Sequence, residues 1–432
     1  MAEHSSTAPL RRPGLAGVYG FRLLYQPRSR GRILGATAVI AVLAYAYSSI
    51  VQLVTLRDMD LRFDFQQFYD AGAALGRGAD PYQAFLDSCP GYHWCLGGYI
   101  YPPLLAELVR PLTVLPLSAA VRVWLGLSQL CLVLAVVLIG RTLRGHVSTT
   151  ALSLLLVATV AFRPLLYTLF FAQVGLLLTA LMAATVASYM RGGRAQGAGV
   201  ATGISAVLRV SPLVLLPVFL RRPRALVAAG GSAALLLLGL WLLTPFTAEY
   251  FTSVLPRIGA STGILDNQAP QGVLLRAAFL WHLSAPSGPL VSGLLALLVL
   301  APTGWLALRH DGDLAWRGAV IAAFIAAMPL VSSLTWQHHL VTELLVYAAL
   351  APALSARGMG VARGLALASY PLMWLDRHYT DAAVGALGLA GPSGWRVAPF
   401  LLVTGLNLLG MISLWGATMV ALRRLAKPPS TT

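Results

Sequence analysis

The chain contains few charged residues for its length. Asp, Glu, Lys and Arg make up 11% of its 432 residues, and only 15 residues are acidic. A soluble protein of this size has about a quarter charged residues, so the composition excludes a soluble protein. Hydrophobic residues make up 57%, and many uncharged stretches of about 18 to 22 residues are long enough to cross roughly 30 Å of hydrocarbon. The sequence predicts an all-α, polytopic membrane protein.

Soluble modules and internal symmetry are also missing from the sequence. We find no soluble domain, coiled coil, low-complexity tract or internal repeat. No cleavable signal is evident, because the apolar run 33–54 is too long for a signal-peptide core and no Ala-x-Ala site follows it. We expect this run to be a retained signal anchor, which leaves the arginine-rich residues 1–32 in the cytoplasm.

Cysteine is scarce, with three residues in the chain. Cys131 stands in an apolar segment, where we expect a core residue. Cys89 and Cys95 flank a Pro-Gly turn in a loop that we place outside the cell, where a disulfide persists. Spacing alone does not decide between a disulfide and two free thiols.

Arginine clusters between the apolar segments predict the topology. The net charge is +16, and this excess fits cytoplasmic loop ends better than nucleic-acid binding. After the anchor, apolar segments cover 101–117, 119–140, 148–168, 172–190, 196–209, 211–220, 224–243, 286–308, 314–332, 338–354, 363–375 and 396–422. The basic clusters between them are Arg141/Arg144, Arg191/Arg194, Arg221/Arg222/Arg224, Arg309, Arg357/Arg363 and Arg423/Arg424/Lys427.

All of these clusters can lie in the cytoplasm only if one of the segments does not cross. The best candidate is 101–117, which is short and contains four prolines, Glu107 and Arg110. Segments 196–209 and 211–220 are also short and predict a hairpin. We expect about 12 transmembrane helices in one transmembrane domain, 33–422, with a long first external loop, 55–100, and a cytoplasmic tail, 423–432.

This topology places the other polar groups of the chain on the external side. They are the acidic loop, Gln173, Arg209, Asn267/Gln268/Arg276, Gln337/His338/His339 and Asp376/Arg377/His378. Polar residues at membrane depth are costly and usually functional. Their convergence on one face predicts a site there, in a multi-pass protein of the plasma membrane.

The acidic loop is the most informative stretch of the chain. Residues 58–103 carry six of the fifteen acidic residues. Asp64, between two phenylalanines, is our candidate base, against the alternatives of a helix N-cap or a solvated loop acid. Asp58-Met59-Asp60 resembles a DxD metal motif, but three residues are a weak signal and a solvated charge cluster is the simpler interpretation. We expect no metal to bind here, and Asp58 or Asp60 is the alternative base if Asp64 is not the base.

Several stretches resemble a known family. FDFQQFYDAGAALGRGADPY and YIYPPLLAELVRPLTVLP are similar to the Asp…Tyr…Gly-x-Asp-Pro-Tyr…Tyr-Pro-Pro region of glycosyltransferase family 87. The resemblance continues, in the family's order, in FAQVGLLLTAL, AVLRVSPLVLLPVFLRRPRA, NQAPQGVLLR and SSLTWQHHL. Four positions depart from the family pattern, and they bear more on the substrate than on the reaction class: Ala172, Gly175, Arg209 and Ala269.

The resemblance implies a GT-C membrane fold and an inverting sugar transfer. The donor would be a polyprenyl-phosphate sugar and the acceptor a lipid-linked or cell-envelope glycan, on the outer face of the membrane among its lipids. Mannose in an α-1,2 linkage is the transfer that the family favours, with arabinose or another pentose as the alternative. A loop aspartate would act as base, without metal or cofactor.

The reaction chemistry assigns roles to the remaining polar residues. A base is needed on the acceptor hydroxyl, and positive charge on the departing phosphate. Arg209 and Arg276 offer planar guanidinium groups for phosphate, or alternatively form structural ion pairs or extend to the interface. His338 and His339 begin a predicted helix, where neighbours point about 100° apart, so we expect one of them to face the cavity and bind phosphate or sugar. The alternative is an interfacial histidine with satisfied hydrogen bonds.

Neutral polar and aromatic residues complete the predicted site. Asn267 and Gln268 carry amides that suit sugar hydroxyls, although a loop turn explains them equally well. Gln173 begins a helix on the same face, and Tyr69 and Tyr101 are expected to pack against the sugar or the prenyl chain.

Two other classes of function compete with the enzyme. Many spans, broken helices and a buried arginine also fit a transporter or flippase of a lipid-linked or small solute, and a non-catalytic assembly subunit remains open. The absence of symmetric halves, and polar groups at one face rather than mid-membrane, disfavour transport.

Overall fold

The computed structural model describes residues 27–55, 63–88, 97–192, 195–284, 287–391 and 393–426. Within these residues the chain is helical and forms no β-strand. The α-helices are α1 Pro27–Thr55, α2 Phe63–Gly76, α3 Gln83–Ser88, α4 Pro103–Val109, α5 Leu117–Leu143, α6 Thr149–Val160, α7 Arg163–Phe170, α8 Gly175–Arg191, α9 Gln196–Leu208, α10 Pro223–Leu243, α11 Phe246–Glu249, α12 Leu255–Gly259, α13 Pro270–Leu280, α14 Gly288–Ala307, α15 Leu314–Val331, α16 Leu344–Leu354, α17 Gly360–Trp374, α18 Arg377–Ala386, α19 Val397–Thr404 and α20 Leu406–Leu425. Short 3-10 helices cover Arg110–Val114, Ser211–Phe219, Gln337–Glu343 and Gly394–Arg396, and a π-helical turn covers Tyr250–Val254.

The described helices confirm a polytopic, all-helical membrane protein. By length and composition, seven of the segments that the structure describes can cross a membrane: Ile33–Val51, Leu117–Leu143, Thr149–Phe170, Pro223–Leu243, Gly288–Ala307, Leu314–Val331 and Leu406–Leu425. Two shorter apolar helices, α8 and α9, accompany them. The total of about twelve transmembrane helices stays a prediction.

The two segments expected not to span are short in the structure. Residues 101–117 form α4 and the 3-10 helix Arg110–Val114, and neither is long enough to cross roughly 30 Å of hydrocarbon. Segment 196–220 forms α9, of 13 residues, followed by the 3-10 helix Ser211–Phe219. Pro212 stands at the start of that 3-10 helix, where its missing N–H leaves no helical hydrogen bond unmade.

Helix α15 lies at the centre of the bundle. Its sequence from Gly318 to Leu330 is apolar and rich in alanine, and 78% of the α15 span is buried inside the protein. A Cβ atom at Gly318 would overlap the Ala349 carbonyl oxygen of α16, so the two backbones touch there. Small residues permit such close helix contacts in membranes, where packing drives association.

Small residues also allow α9 and α10 to pack closely against each other. Gly199 and Gly203 face the backbone carbonyls of Ala225 and Ala229, and a Cβ at either glycine would overlap a carbonyl oxygen. The spacing of four residues on both helices puts the small residues on facing stripes. This contact positions α9, and Arg209 follows directly after the last residue of that helix.

The central helices carry different chemistry at their two ends. One end is basic, and a cleft there is lined by Gly192, Gln196, Arg222, Asp311 and Arg317. The opposite ends of α8, α9 and α15 carry Gln173, Arg209 and Ser332, which line a cavity described below. The bundle therefore separates arginine-rich loop ends from a polar cavity.

We predict that Gly199→Leu destabilises the protein, because the side chain would collide with the backbone of α10. Overpacking of this kind costs about 1–3 kcal/mol, which should lower the midpoint of thermal unfolding in detergent. Gly231→Leu on α10 is the control, since a Cβ there meets nothing within 4 Å. Equal midpoints for the two variants would contradict the close α9–α10 contact.

Candidate functional site

A cavity of about 350 Å³, called cavity one, lies at the polar end of the bundle. Six residues predicted from the sequence line it: Asp64, Tyr101, Gln173, Arg209, His338 and His339. The rest of its wall is mostly apolar and includes Leu213, Val214, Leu255, Ile258, Met328 and Val331. Cavity one therefore combines a cation, a carboxylate and a hydrocarbon surface.

A second cavity of about 320 Å³, called cavity two, adjoins it. The two cavities share four lining residues, namely Asp64, Gln67, Trp336 and His338. The remaining wall of cavity two carries more polar side chains than that of cavity one, among them Asp266, Gln268, Gln337, Asp376, Arg377 and Asn407. Asp64 thus stands between two chambers, of which cavity two has the more polar wall.

A chain of hydrogen bonds holds Asp64 in place. The Gln173 Nε2 donates to Asp64 Oδ2 at 2.5 Å, and the buried Tyr101 hydroxyl donates to Gln173 Oε1 at 3.1 Å. Gln173 reaches this position because Ala172 adopts a left-handed conformation, with φ of 47°, in the turn before α8. Trp124 on α5 donates to the Ala172 carbonyl at 2.8 Å, which holds that turn.

Aromatic packing fixes the helix that carries Asp64. Phe65 and Phe68 of α2 are fully buried, and the ring centroids of Phe65 and Trp124 are 5.7 Å apart. Phe68 also packs edge-on against Tyr101, at 5.2 Å. Phenylalanines at positions one and four residues after Asp64 therefore anchor α2 and direct the carboxylate toward the cavities.

The buried position of Asp64 changes its acidity. Desolvation raises the pKa of its carboxyl to about 6, and the hydrogen bond from Gln173 partly opposes this by lowering the pKa. A carboxylate with such a pKa is ionised at neutral pH and is a stronger base than an exposed aspartate. This is the range in which general bases are most effective.

Arg209 brings positive charge to cavity one. It follows the last residue of α9 in an extended conformation, and within the described residues no carboxylate lies within ion-pair distance of its guanidinium. Leaving a guanidinium without a counter-ion at this depth is costly. Arg209 is therefore suited to an anionic ligand rather than to a structural ion pair.

Both histidines line cavity one, so the expectation that only one of them faces it is wrong. They lie on a 3-10 helix, and their rings are 4.4 Å apart and nearly perpendicular. The cavity extends around both rings. His339 Nδ1 accepts a hydrogen bond from the Trp336 backbone N–H at 3.1 Å, whereas His338 reaches both cavities.

Arg276 and Tyr69 lie away from both cavities. The Arg276 guanidinium donates to the carbonyl oxygens of Ile264 at 2.6 Å and Asn267 at 2.8 Å. Tyr69 donates its hydroxyl to the carbonyl of Leu115 at 2.8 Å. The structure therefore does not bring Arg276 or Tyr69 to the cavities that the other predicted residues line, and both side chains hold loops instead. The Nε and Nη2 atoms of Arg276 are buried without a partner among the described residues.

The contacts of Asn267 favour the loop-turn interpretation of this residue. Its side chain is fully buried and makes five hydrogen bonds, with Ser261, Thr262, Ala269, Ser333 and Thr335. It lines neither cavity, since every hydrogen-bonding direction of its amide is used to join the 261–269 loop to residues 333–335. Its neighbour Gln268 instead lines cavity two.

Ion pairs and unpaired polar atoms mark the wall of cavity two. Asp376 is bound by Arg163 at 2.7 Å, and Arg377 contacts Asp266 at 2.7 Å and Asp381 at 3.2 Å. Three buried atoms in this wall have no hydrogen-bond partner among the described residues: Gln268 Oε1, Trp336 Nε1 and Gln337 Nε2. Such atoms are rare in native proteins. Each is enclosed by protein atoms, and a turn of its side chain toward cavity two would bring it to a ligand.

Some sequence interpretations fall outside the described residues. They concern Asp58, Asp60, Cys89 and Cys95. Over the part of the chain that the structure describes, no three His, Cys, Asp or Glu side chains come together as metal ligands do. The expectation of metal-independent chemistry stays a prediction.

Sequence reasoning missed several residues of the site. Gln67 stands three residues after Asp64, a helical spacing that could have placed it on the same face. Asp266 directly precedes Asn267 and was overlooked beside it. Tyr250 lies on the π-helical turn and lines cavity one, and no pattern in the sequence marks a π-turn in advance.

The sequence model of glycosyltransferase family 87 matches residues 99–333, more than half of the chain. The chain belongs to glycosyltransferase family 87. The match includes Tyr101, Gln173 and Arg209, whereas Asp64 precedes it and His338 follows it. Family membership supports a membrane glycosyltransferase and confirms the resemblance read from the sequence.

Two curated relatives from Mycobacterium tuberculosis, strains CDC 1551 / Oshkosh and ATCC 25618 / H37Rv, are both named alpha-(1->3)-arabinofuranosyltransferase. Each is 28% identical over 252 residues, which cover 57% of this chain and 56% of the relative. The family 87 chain thus spans about half the length of the curated relatives it matches.

We predict that Asn267→Ala lowers the thermal stability of the protein strongly, and that Gln268→Ala lowers it much less. Each buried group left without a partner costs about 1–3 kcal/mol, and Asn267 satisfies several such groups. Thermal unfolding of the purified variants measures the difference. A larger effect for Gln268→Ala would contradict the loop-holding role of Asn267.

Proposed function

We propose that this protein transfers a sugar from a polyprenyl-phosphate donor to a lipid-linked or cell-envelope glycan, with inversion at the anomeric carbon. The observation that carries the proposal is the position of Asp64 between cavity one and cavity two. A base at such a junction can take a proton from an acceptor in one chamber while the donor occupies the other.

Cavity one suits the donor. Arg209 has no carboxylate partner among the described residues, so it can receive the phosphate, with His338 and His339 beside it. The apolar wall formed by residues such as Leu213, Ile258 and Met328 suits the prenyl chain. A guanidinium preorganised in a partly dry site stabilises the charge that develops on a departing phosphate.

The reaction proceeds as a single displacement. The acceptor hydroxyl oxygen bonds to the anomeric carbon as the bond from that carbon to the phosphate oxygen breaks, and the hydroxyl proton passes to Asp64. The bond electrons leave with the polyprenyl phosphate, whose negative charge meets Arg209. No catalytic acid is required, because the phosphate leaves as an anion. Gln173 and Tyr101 act as positioning residues that hold Asp64.

Two sugars are candidates for the group that the donor carries. The family resemblance favours mannose in an α-1,2 linkage. The two curated relatives are named for arabinofuranose, which makes a polyprenyl-phosphate arabinofuranose the second donor to test. The cavity geometry fits either, since the proposed contacts concern the phosphate, the prenyl chain and the base.

The topology follows from the charge distribution. We place the basic end of the bundle, with Arg222 and Arg317, in the cytoplasm. Residues 1–32 and 423–432 lie on that side, and 55–100 forms the first extracytoplasmic loop of one GT-C domain, 33–422, with about twelve spans. The active site then faces outward at the plasma membrane.

The competing function is a transporter or flippase of a lipid-linked or small solute. Cavity one and cavity two lie at one end of the central helices rather than midway along them, which favours catalysis at one face. A flippase would move a lipid-linked sugar across the bilayer without forming a glycosidic bond, whereas a transferase forms one, and that reaction would depend on Asp64.

We predict that Asp64→Asn abolishes sugar transfer. Loss of a general base lowers the rate by about 100- to 10,000-fold, measured with purified protein, polyprenyl-phosphate mannose or arabinofuranose, and glycan acceptors, with products read by mass spectrometry. Asp70→Asn, an exposed position on the same helix, is the matched control and should retain activity. Transfer by Asp64→Asn at the wild-type rate would refute Asp64 as the base.

We also predict a pH dependence of the transfer rate. Because the Asp64 pKa is raised to about 6, the ionised base is present above that pH and is lost as the pH falls through it. Gln173→Leu removes the hydrogen bond that lowers this pKa, so the acidic limb of the profile should move to higher pH. A limb that stays in place, or moves to lower pH, would contradict this assignment.

A further inference from the structure

We infer that cavity two is the subsite for a neutral glycan acceptor, recognised by Asp266, Gln268, Trp336 and Gln337. This inference rests on the proposed function, in which Asp64 receives the acceptor proton. It adds the location of the acceptor and the residues that select it. The sequence alone suggests no role for Asp266, Trp336 or Gln337.

The charges of cavity two disfavour the anionic donor. Its wall carries the carboxylates of Asp64, Asp266 and Asp376 and the guanidinium of Arg377, counted among the described residues. Arg377 pairs with Asp266, and Arg163 pairs with Asp376. A phosphate would therefore find no unpaired guanidinium there among the described residues, and it would meet the like charge of Asp64. Cavity one, with Arg209 and Asp64 as its charged residues of known position, is the better place for phosphate. We therefore expect cavity two to bind an uncharged ligand.

The unpaired atoms of the wall match sugar hydroxyls. Gln268 Oε1 is an acceptor without a donor, and Trp336 Nε1 and Gln337 Nε2 are donors without an acceptor, within the part of the chain described. A hydroxyl group both donates and accepts, so one glycan can satisfy both kinds of atom. An apolar ligand would leave all three unsatisfied, at a cost of about 1–3 kcal/mol for each.

Aromatic side chains and an ion pair shape the same chamber. Tyr167, Phe171 and Trp336 contribute rings to the wall, and sugar rings pack their C–H faces against such surfaces. At the rim, Asp266 and Asp381 hold Arg377 from two sides. Only Asp266 of these two carboxylates lines the cavity.

The position of Asp64 determines which end of a glycan in cavity two faces the base. Because Asp64, Gln67 and His338 line both cavities, a glycan in cavity two can present its terminal hydroxyl to Asp64 while the donor phosphate lies in cavity one. Inversion requires that the hydroxyl approach the anomeric carbon from the side opposite the leaving phosphate. The same wall therefore binds the acceptor and orients it.

A kinetic comparison of two carboxylate variants tests the subsite. The full-length protein in lipid nanodiscs is assayed with synthetic octyl oligosaccharides of mannose and of arabinofuranose. Asp266→Asn should raise the KM for the acceptor by about tenfold, the loss of a charged hydrogen bond, with the donor KM unchanged. Asp381→Asn, which removes the other partner of Arg377, should change neither. Equal effects of both variants, an altered donor KM or no change would overturn the inference.

A binding measurement keeps the test valid if a variant misfolds. Wild-type protein is labelled with an octyl disaccharide that carries a diazirine on the sugar, and labelled peptides are identified by mass spectrometry. Label is expected in 265–268 and 375–380. Label confined to 209–214 and 328–334 would overturn the inference.

The two proposals fail separately in these experiments. If the wild-type protein transfers no sugar but the disaccharide labels cavity two, the glycan subsite stands and the transferase proposal fails. If it transfers sugar and the label lies only in cavity one, the transferase proposal stands and the acceptor subsite is refuted.

Discussion

The hydrogen bond from Gln173 to Asp64 joins the acidic loop to the membrane bundle, and the organisation of the site depends on it. It links the first turn of α2 to Gln173, which stands two residues before α8. Tyr101 extends the link to the Tyr-Pro-Pro segment. Without it, a carboxylate surrounded by Phe65 and Phe68 would have no fixed direction. With it, the Asp64 carboxylate stands at the boundary between cavity one and cavity two.

That boundary separates two kinds of surface. Cavity one offers one guanidinium and a hydrocarbon wall, whereas cavity two offers carboxylates, amides and aromatic rings. A polyprenyl-linked sugar and a glycan differ in the same two respects, charge and apolar area. In the proposed function, this difference keeps the two substrates apart until they meet at Asp64. Close helix packing through Gly199 and Gly318 holds the walls in place.

Much of this arrangement could be read from sequence. Composition predicted the helical membrane class, and Asp64, Arg209, Gln173 and the histidines were recognised because polar residues in apolar surroundings stand out. The short segments at 101–117 and 196–220 were also anticipated, since proline and length limit what a segment can span.

The remaining features depend on contacts between distant residues. Asn267 and Gln268 are neighbours with the same functional group, yet one is consumed by loop hydrogen bonds and the other faces a cavity. Arg276 differs from Arg209 in the same way, because nearby carbonyls bind it. Residue type and spacing do not encode these partners. A 3-10 helix at Gln337–Glu343 likewise places both histidines at the cavity, where α-helical spacing predicted one.

The most direct test of the central claim is a cryo-electron microscopy structure of the protein with a polyprenyl monophosphate bound. The account predicts phosphate density in cavity one, against the Arg209 guanidinium and His338, with the prenyl chain along the apolar wall and Asp64 facing the phosphate. Phosphate density in cavity two, or in the arginine cleft at the opposite end of the bundle, would contradict it.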